Sequence, residues 1–327
     1  MNETTNLYDL LKSIINDPHL LDDIDTGYID FSYASNVARY LQEKIGSGNT
    51  IAIKSSRKTG ASLIYAAIIS ENSYLFLDEN ESTNSIVRLL DSIDDTSFIL
   101  TDDTSFYHEM KSHSYNIILF DNPPEIQFKQ CYKKDNGSIG ASAILTSSGT
   151  TGKRKPIKIS LSKINIFVEW CISQFKLDDR TKCLSTSPLT FDLSFFDIFA
   201  VPSSGGSTTF SENKDIIFPE GLSKLIERTN ITHWYTTPTI LSHWLNKGNI
   251  SSYNITSLKF ILFAGEKILP STLKDLMKLL PNTKFFNLYG PTETNVCLYW
   301  EVDLKLVKKN HDIPCGIPTS YCNVMID

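Results

Sequence analysis

The sequence predicts an α/β protein built on doubly wound, mostly parallel sheets. Two observations carry this expectation. Short apolar runs of strand length alternate with helical periodicities along most of the 327 residues, and neither an internal repeat, a heptad nor a low-complexity segment interrupts them. The composition, 41% hydrophobic, is enough to bury a large core in one or two domains.

In chain order, Leu7 to Ile15 reads as a short helix behind a polar start. From Ser35 the pattern is helical, with Val37, Tyr40, Leu41 and Ile45 on one face and Gly46 ending it. Strands follow at Thr50 to Lys54 and Tyr74 to Leu77, separated by an apolar helix from Ala61 to Ile69. Ile86 to Ile93 is helical, and Ser97 to Thr101 and Tyr115 to Phe120 are strands. Residues 121–138, with Pro123-Pro124 and Asn136-Gly137, form the linker between lobes 1–120 and 139–327.

In the second lobe, the run Ala143 to Thr146 is a buried strand and Ile157 to Ser160 a second one. Ser162 is the expected N-cap of a helix whose inner stripe is Ile164, Phe167, Val168, Cys171 and Phe175. Strands at 182–187, 232–236, 258–263 and 284–288 then alternate with helices at 222–226, 239–245 and, capped by Ser271 and stopped by Pro281, around Leu273 and Leu276.

Charge and cysteine usage exclude several classes. Thirty-one basic against 37 acidic residues give a net charge of −6, and no basic run offers a nucleic-acid footprint. Six cysteines without a C-x-x-C pair imply reduced thiols in a cytoplasmic protein, and the six histidines show no ligand spacing. The first residues lack the basic and apolar regions of a signal peptide, and no stretch is long and apolar enough to span a membrane.

Four stretches look unlike scaffold. Ser147-Ser148-Gly149-Thr150-Thr151-Gly152-Lys153-Arg154-Lys155 joins two strands with hydroxyls, glycines and cations and no acid. Freed backbone N–H groups and ammonium groups there make a cradle for a polyphosphate. The usual phosphate loop has four residues between its glycines and a helix after its lysine; this one has two, and a strand follows. Phe191-Asp192-Leu193-Ser194-Phe195-Phe196-Asp197 sets an acid among aromatics, so Asp192 either meets a cation, a ligand ammonium included, or caps the following helix. Leu262-Phe263-Ala264-Gly265-Glu266 ends a strand in a glycine turn with an acid. Asn287-Leu288-Tyr289-Gly290-Pro291-Thr292-Glu293-Thr294 presents a ring, hydroxyls and a carboxylate after a strand, suited to a base, a phosphate and Mg²⁺, or simply a Gly-Pro turn.

Taken together and in this order, these stretches resemble the signature set of the adenylate-forming superfamily, over nearly the whole chain. They are similar to amino-acid adenylation domains and above all to D-alanine–D-alanyl carrier protein ligases. Residues 31–42, 65–80 and Gly316-Ile317-Pro318 resemble further motifs of that set. The resemblance implies the large N-terminal core of such an enzyme, with ATP and Mg²⁺. An amino acid is activated as aminoacyl-AMP, pyrophosphate leaves, and the acyl group passes to a carrier-protein phosphopantetheine thiol. It implies that Ser147 to Gly152 and Lys155 hold the β- and γ-phosphates, with Lys155, Thr292 and Glu293 catalytic. Gly265, Glu266, Asn287, Leu288, Tyr289, Gly290, Pro291 and Thr292 bind the rest of ATP, and Glu293 binds Mg²⁺. Asp192 accepts the substrate ammonium, and Leu193, Phe196, Ala264 and Val296 wall a pocket that favours a small or aliphatic side chain.

The loop departs from the family's Gly-x-Pro-Lys-Gly ending, placing Arg154 and Pro156 at its proline and last glycine. The chain also stops before the family's ribose-binding aspartate and its lysine-bearing C-terminal lid, which implies truncation. An acyl- or aryl-CoA ligase and a catalytically impaired nucleotide-binding relic are the alternatives.

Overall fold

A computed structural model describes residues 6–16, 29–93, 96–120, 140–148, 154–308 and 312–325. The expected linker at 121–138 and the loop tip at 149–153 lie outside the described residues.

The first half runs α1 (Leu7–Asn16), α2 (Phe31–Lys44), β1 (Thr50–Lys54), α3 (Arg57–Ile69), β2 (Ser73–Leu77), α4 (Thr83–Leu90), β3 (Thr96–Thr101), α5 (Thr104–Met110) and β4 (Asn116–Leu119). It continues with β5 (Ser142–Ser148), β6 (Arg154–Ser160) and α6 (Leu161–Phe175). Its strands form a six-stranded sheet in the order β4-β3-β1-β2-β5-β6, parallel except where β6 folds back antiparallel on β5. The second half runs β7 (Lys182–Ser185), a π-turn (Phe196–Ala200), α7 (Val201–Ser203), β8 (Ser207–Phe210), α8 (Asn213–Ile217), α9 (Glu220–Thr229) and β9 (His233–Thr236). After these come α10 (Pro238–Lys247), β10 (Phe260–Phe263), α11 (Pro270–Leu279), β11 (Lys284–Tyr289), β12 (Leu298–Glu301), α12 (Leu304–Lys308) and β13 (Ile317–Pro318). The second sheet has seven strands in the order β13-β12-β11-β10-β9-β7-β8, parallel from β11 to β8 and antiparallel at the β12–β13 edge.

The period-two alternation of the strands sorts their side chains into three apolar layers. Ile51, Ile53, Tyr74, Phe76, Tyr235, Leu262 and Phe286 face a central layer filled by α1, α2, α3, α6 and the π-turn. Ala52, Leu75, Leu77 and Ile99 face outward onto α4 and α5. Trp234, Ile261, Phe263 and Phe285 face outward onto α9, α10 and α11. The result is a five-layer arrangement of helices and two sheets, with the largest apolar layer between the sheets.

Local chemistry sets the helix starts, and several differ from the sequence expectation. The second helix begins at Phe31, not Ser35, because Asp30 caps it, its carboxylate accepting from Tyr33 N–H at 2.7 Å. Ser162 is not an N-cap: β6 runs straight into α6, Ser160 holds the cap position, and the two hydroxyls lie 2.8 Å apart. Ser271 does not cap α11 either; Pro270 opens it, its fixed φ already helical and its missing N–H costing nothing there. The stripe Ile164, Phe167, Val168, Cys171 and Phe175 is buried as expected.

Phe175 closes that stripe and meets Trp170, Phe196, Phe260 and Phe286 edge-on at centroid distances of 5.3–6.5 Å. It is fully buried, so Phe175→Ala leaves a void that rigid strands cannot fill. The expected loss of stability is about 3–5 kcal/mol, read as a fall in the urea midpoint.

Candidate active site

Parallel strands of equal register end along one line, and the second sheet uses this. Thr236 pairs with Phe263 and Phe263 with Asn287, so the segments after β9, β10 and β11 emerge side by side. From β7 the chain goes outward to β8 and then returns to β9 on the other side of β7. That reversal makes the β7–β9 junction the switch point where a crevice opens beyond the strand ends. The Thr186 hydroxyl donates to Thr236 Oγ1 at 2.9 Å across this junction, and Trp234 Nε1 donates to Thr186 Oγ1 at 3.0 Å.

Three of the four stretches singled out in the sequence follow strand ends of this sheet, that of Asp192 after β7, that of Gly265 after β10 and that of Glu293 after β11. Asp192 lies half-buried between β7 and the π-turn and does not hold the cap position of the turn, which falls to Phe195. Burial pushes its carboxyl up to about 6, against hydrogen bonds from its own N–H and that of Leu193, and the negative charge of Glu293 adds to the rise. Among the described residues, the charge that acts on Asp192 is thus that of a second carboxylate, Glu293. Phe196, fully buried, stands edge-on to Tyr235 at 5.8 Å. Ala264, Leu288 and Val296 are buried and Leu193 is half-buried, all against the same central layer.

Gly265 takes φ +87, the left-handed conformation that glycine adopts without strain, and turns the chain away from β10. Glu266 beyond it is exposed and accepts a hydrogen bond from Thr239. Asn287 donates from Nδ2 to Pro314 O at 2.8 Å, and Tyr289 is half-exposed. Gly290 has no freedom to be anything else: an added Cβ would lie 1.6 Å from Asn295 O. The close backbone approach it permits lets Pro291, Thr292 and Glu293 lie in a tight loop closed by Cys297 N–H on Tyr289 O at 2.8 Å. Val296 is held from behind by Tyr321, whose hydroxyl donates to Val296 O.

The fourth stretch belongs to the other sheet. Ser147 and Ser148 end β5, opposite Lys155 and Arg154 on β6, while Gly149, Thr150, Thr151 and Gly152 fall outside the described residues. Pro156 pairs with Thr146 on β6, the outermost strand of its sheet, where a strand tolerates a residue without an N–H.

Tyr235 escaped the sequence reading. It sits inside a run that reads only as a strand, yet it is buried beside both Phe196 and the Asp192 carboxyl. Among the described residues no group of three His, Cys, Asp or Glu side chains is placed to hold a metal. Exposed Glu293 thus fits Mg²⁺ only as one ligand, with phosphate oxygens supplying others. The thiols of Cys171, Cys183, Cys297, Cys315 and Cys322 are free, and no described helix is long and apolar enough to cross a membrane.

The family model of the AMP-binding enzymes matches residues 31–327. An L-proline–[L-prolyl-carrier protein] ligase of Streptomyces coelicolor is 34% identical over 180 residues, which is 54% of this chain and 33% of that protein. A D-alanine–D-alanyl carrier protein ligase of Staphylococcus epidermidis is 30% identical over 172 residues, 52% of this chain and 36% of the relative. The matched stretch thus spans about a third of the length of these relatives. The nonribosomal peptide synthetase FmoA3 superposes with a TM-score of 0.81 at 17% identity, over 95% of this chain and 34% of that one.

The pairing of the two carboxylates can be measured directly. In a carbon-detected NMR titration Asp192 is expected to titrate near 6. Glu293→Gln removes a negative neighbour and should lower that midpoint while burial keeps it above 3.8. A midpoint unaffected by Glu293→Gln would show that the two groups do not sense one another.

Proposed function

Because the chain belongs to the AMP-binding enzyme family, we propose that it activates a small or aliphatic amino acid with ATP as the aminoacyl-AMP, for transfer to a carrier protein. A carboxylate oxygen of the amino acid attacks the α-phosphorus, the bond to the bridging oxygen breaks, and pyrophosphate leaves. In the second step the phosphopantetheine thiol, losing its proton, attacks the acyl carbon and AMP departs. The relatives named for L-proline and D-alanine carrier proteins support both the substrate class and this partner.

The observation that carries the reading is the largely buried Asp192 carboxylate, which feels the charge of Glu293 and, among the described residues, no neutralising cation, beside the apolar side chains of Leu193, Phe196, Ala264 and Val296. A substrate ammonium at Asp192 and a Mg²⁺–phosphate group at Glu293 would neutralise both. Mg²⁺, when bound, offsets the charge developing on the phosphates. Asp192 would orient the amino acid so that its carboxylate points away from the pocket. Phe196, Tyr235, Leu193, Ala264 and Val296 would enclose its side chain and exclude water. Fully buried Phe196 and Tyr235 leave little depth, and the wall offers no partner for a charge, so proline and alanine are the first candidates. Asn287, Leu288, Tyr289 and Gly265 would frame the adenine, with Glu266 and Gly290-Pro291 beside them. Thr292 would touch the α-phosphate, and Ser147, Ser148 and Lys155, with the 149–152 tip, the outer phosphates. A fatty or aryl acid has no ammonium and gives Asp192 no purpose.

Amino-acid-dependent exchange of labelled pyrophosphate into ATP, with the chain alone and with a relative's lid domain added in trans, tests the reading. Proline and alanine should support exchange above charged amino acids, and Asp192→Ala should remove the dependence on amino acid. No exchange with any L- or D-amino acid under either condition would defeat it. Because the free Asp192 carboxyl binds a proton near 6, apparent amino-acid affinity should fall about tenfold per pH unit below that value. Affinity should level off above pH 7, and Asp192→Asn should flatten the profile.

A further inference from the structure

The π-turn that carries Phe196 is gripped from the other sheet, and this grip is not part of the site described so far. In the π-turn Val201 N–H reaches back to Phe196 O, one residue further than in an α-helix. Two carbonyls of the turn accept side-chain donors from outside it: Asp197 O from Thr208 Oγ1 at 2.6 Å, and Ile198 O from Tyr65 Oη at 2.7 Å. Tyr65 lies on α3, which packs with the six-stranded sheet, and it also meets Phe199 edge-on at 5.7 Å.

Arg57, two turns earlier on α3, makes the second hold. Its Nη2 donates to Ser185 Oγ at 2.8 Å and its Nη1 to Ser211 O at 3.2 Å, while its guanidinium lies over Phe210 at 5.5 Å. Both Ser185 and Arg57 act electrostatically on the Asp197 carboxyl, which is fully buried. Cys183 Sγ donates to Asp197 Oδ1 at 3.5 Å, and among the described residues Oδ2 has no hydrogen-bond partner. Burial raises this carboxyl to about 7, against the pull of Ser185, Arg57 and Cys183. A buried acid with an unmet oxygen is costly, and a leucine would fill its place more cheaply if packing were its whole purpose.

We propose that Asp197 is a positioning residue: held at its carboxyl by Cys183 and at its carbonyl by Thr208, beside the Arg57–Ser185 bond and aided by Tyr65, it holds the π register that aims Phe196 into the substrate pocket and so makes α3 a structural partner of substrate selection. A relapse to α-helical register would rotate Phe196 relative to Tyr235 and Asp192. The inference rests on the amino-acid-activation reading for its functional arm only.

Hydrogen–deuterium exchange of the full chain, read by mass spectrometry, tests the coupling without activity. Arg57→Met should raise exchange across residues 192–203 by about tenfold while β9 and β10 keep their protection. Asp197→Asn should do the same, and the double variant should add less than about twofold, as expected of residues acting as a unit. Unchanged exchange at 192–203 overturns the proposal, as does uniform deprotection of the whole second sheet. If Arg57→Met does not fold, Tyr65→Phe, which deletes one oxygen, is judged by the same criterion. In pyrophosphate exchange, Asp197→Asn should raise the amino-acid KM about fivefold or more with the ATP KM within about twofold. Equal changes in both KM values count against positioning. Absence of exchange in the unaltered chain defeats the activation reading, and the deuterium measurement still decides this one.

Discussion

The alignment of β9, β10 and β11 is the constraint on which the site depends. Because Thr236, Phe263 and Asn287 lie abreast, a single-residue slip of any strand would swap its two faces. Tyr235, Leu262 and Phe286 would then leave the central layer, and Trp234, Ile261 and Phe285 would enter it. The apolar content of both faces means that burial alone would not forbid such a slip. Side-chain fit adds to it: Trp234 stands edge-on against Trp244 at 5.0 Å on the outer face, a contact that a slip would break. The register that protects the core is also the one that brings the loops after three strands to one crevice.

Electrostatics in the second sheet run counter to ordinary economy. Asp192 and Asp197, five positions apart, both carry carboxyls raised by burial, to about 6 and about 7. Their surroundings differ. The first opens toward Glu293 and solvent, so its unmet charge is available to a ligand. The second is sealed, with Cys183, Ser185 and Arg57 as its neighbours, so its charge acts on the protein itself. His233 shows the opposite solution to burial: it stays neutral, its pKa lowered to about 4, with its ring nitrogens on Thr232 Oγ1 and Phe175 O.

The strand and helix alternation was legible because period-two and helical patterns are local. Element ends were less so, since Asp30 and Pro270 act through geometry that a search for serine caps overlooks. In the candidate site, Asp192, Gly265, Asn287 and Glu293 lie in stretches that alone read as ordinary turns and caps, and only their joint resemblance to the family singled them out. Tyr235, Tyr65, Arg57 and Asp197 were not singled out. Tyr65 and Ile198 are 133 positions apart, Arg57 and Ser185 128, and nothing in either local pattern announces the other. Helix α5 and the antiparallel β12–β13 edge were likewise missed, being short and without strong periodicity.

The six-stranded sheet also imposes an order on biosynthesis. β5 joins β2 across an interval of 69 positions, and the first N–H of α1, that of Leu7, is received by the Asn165 side chain 158 positions later. At typical synthesis rates that partner emerges on the order of 10 s after the helix it completes. Until then α2 already has α3 to pack on, but α1 lacks α6 and one edge of β2 lacks β5. Sequence separation thus sets how long these surfaces wait for their partners during synthesis, which is the interval in which a nascent chain is most open to association.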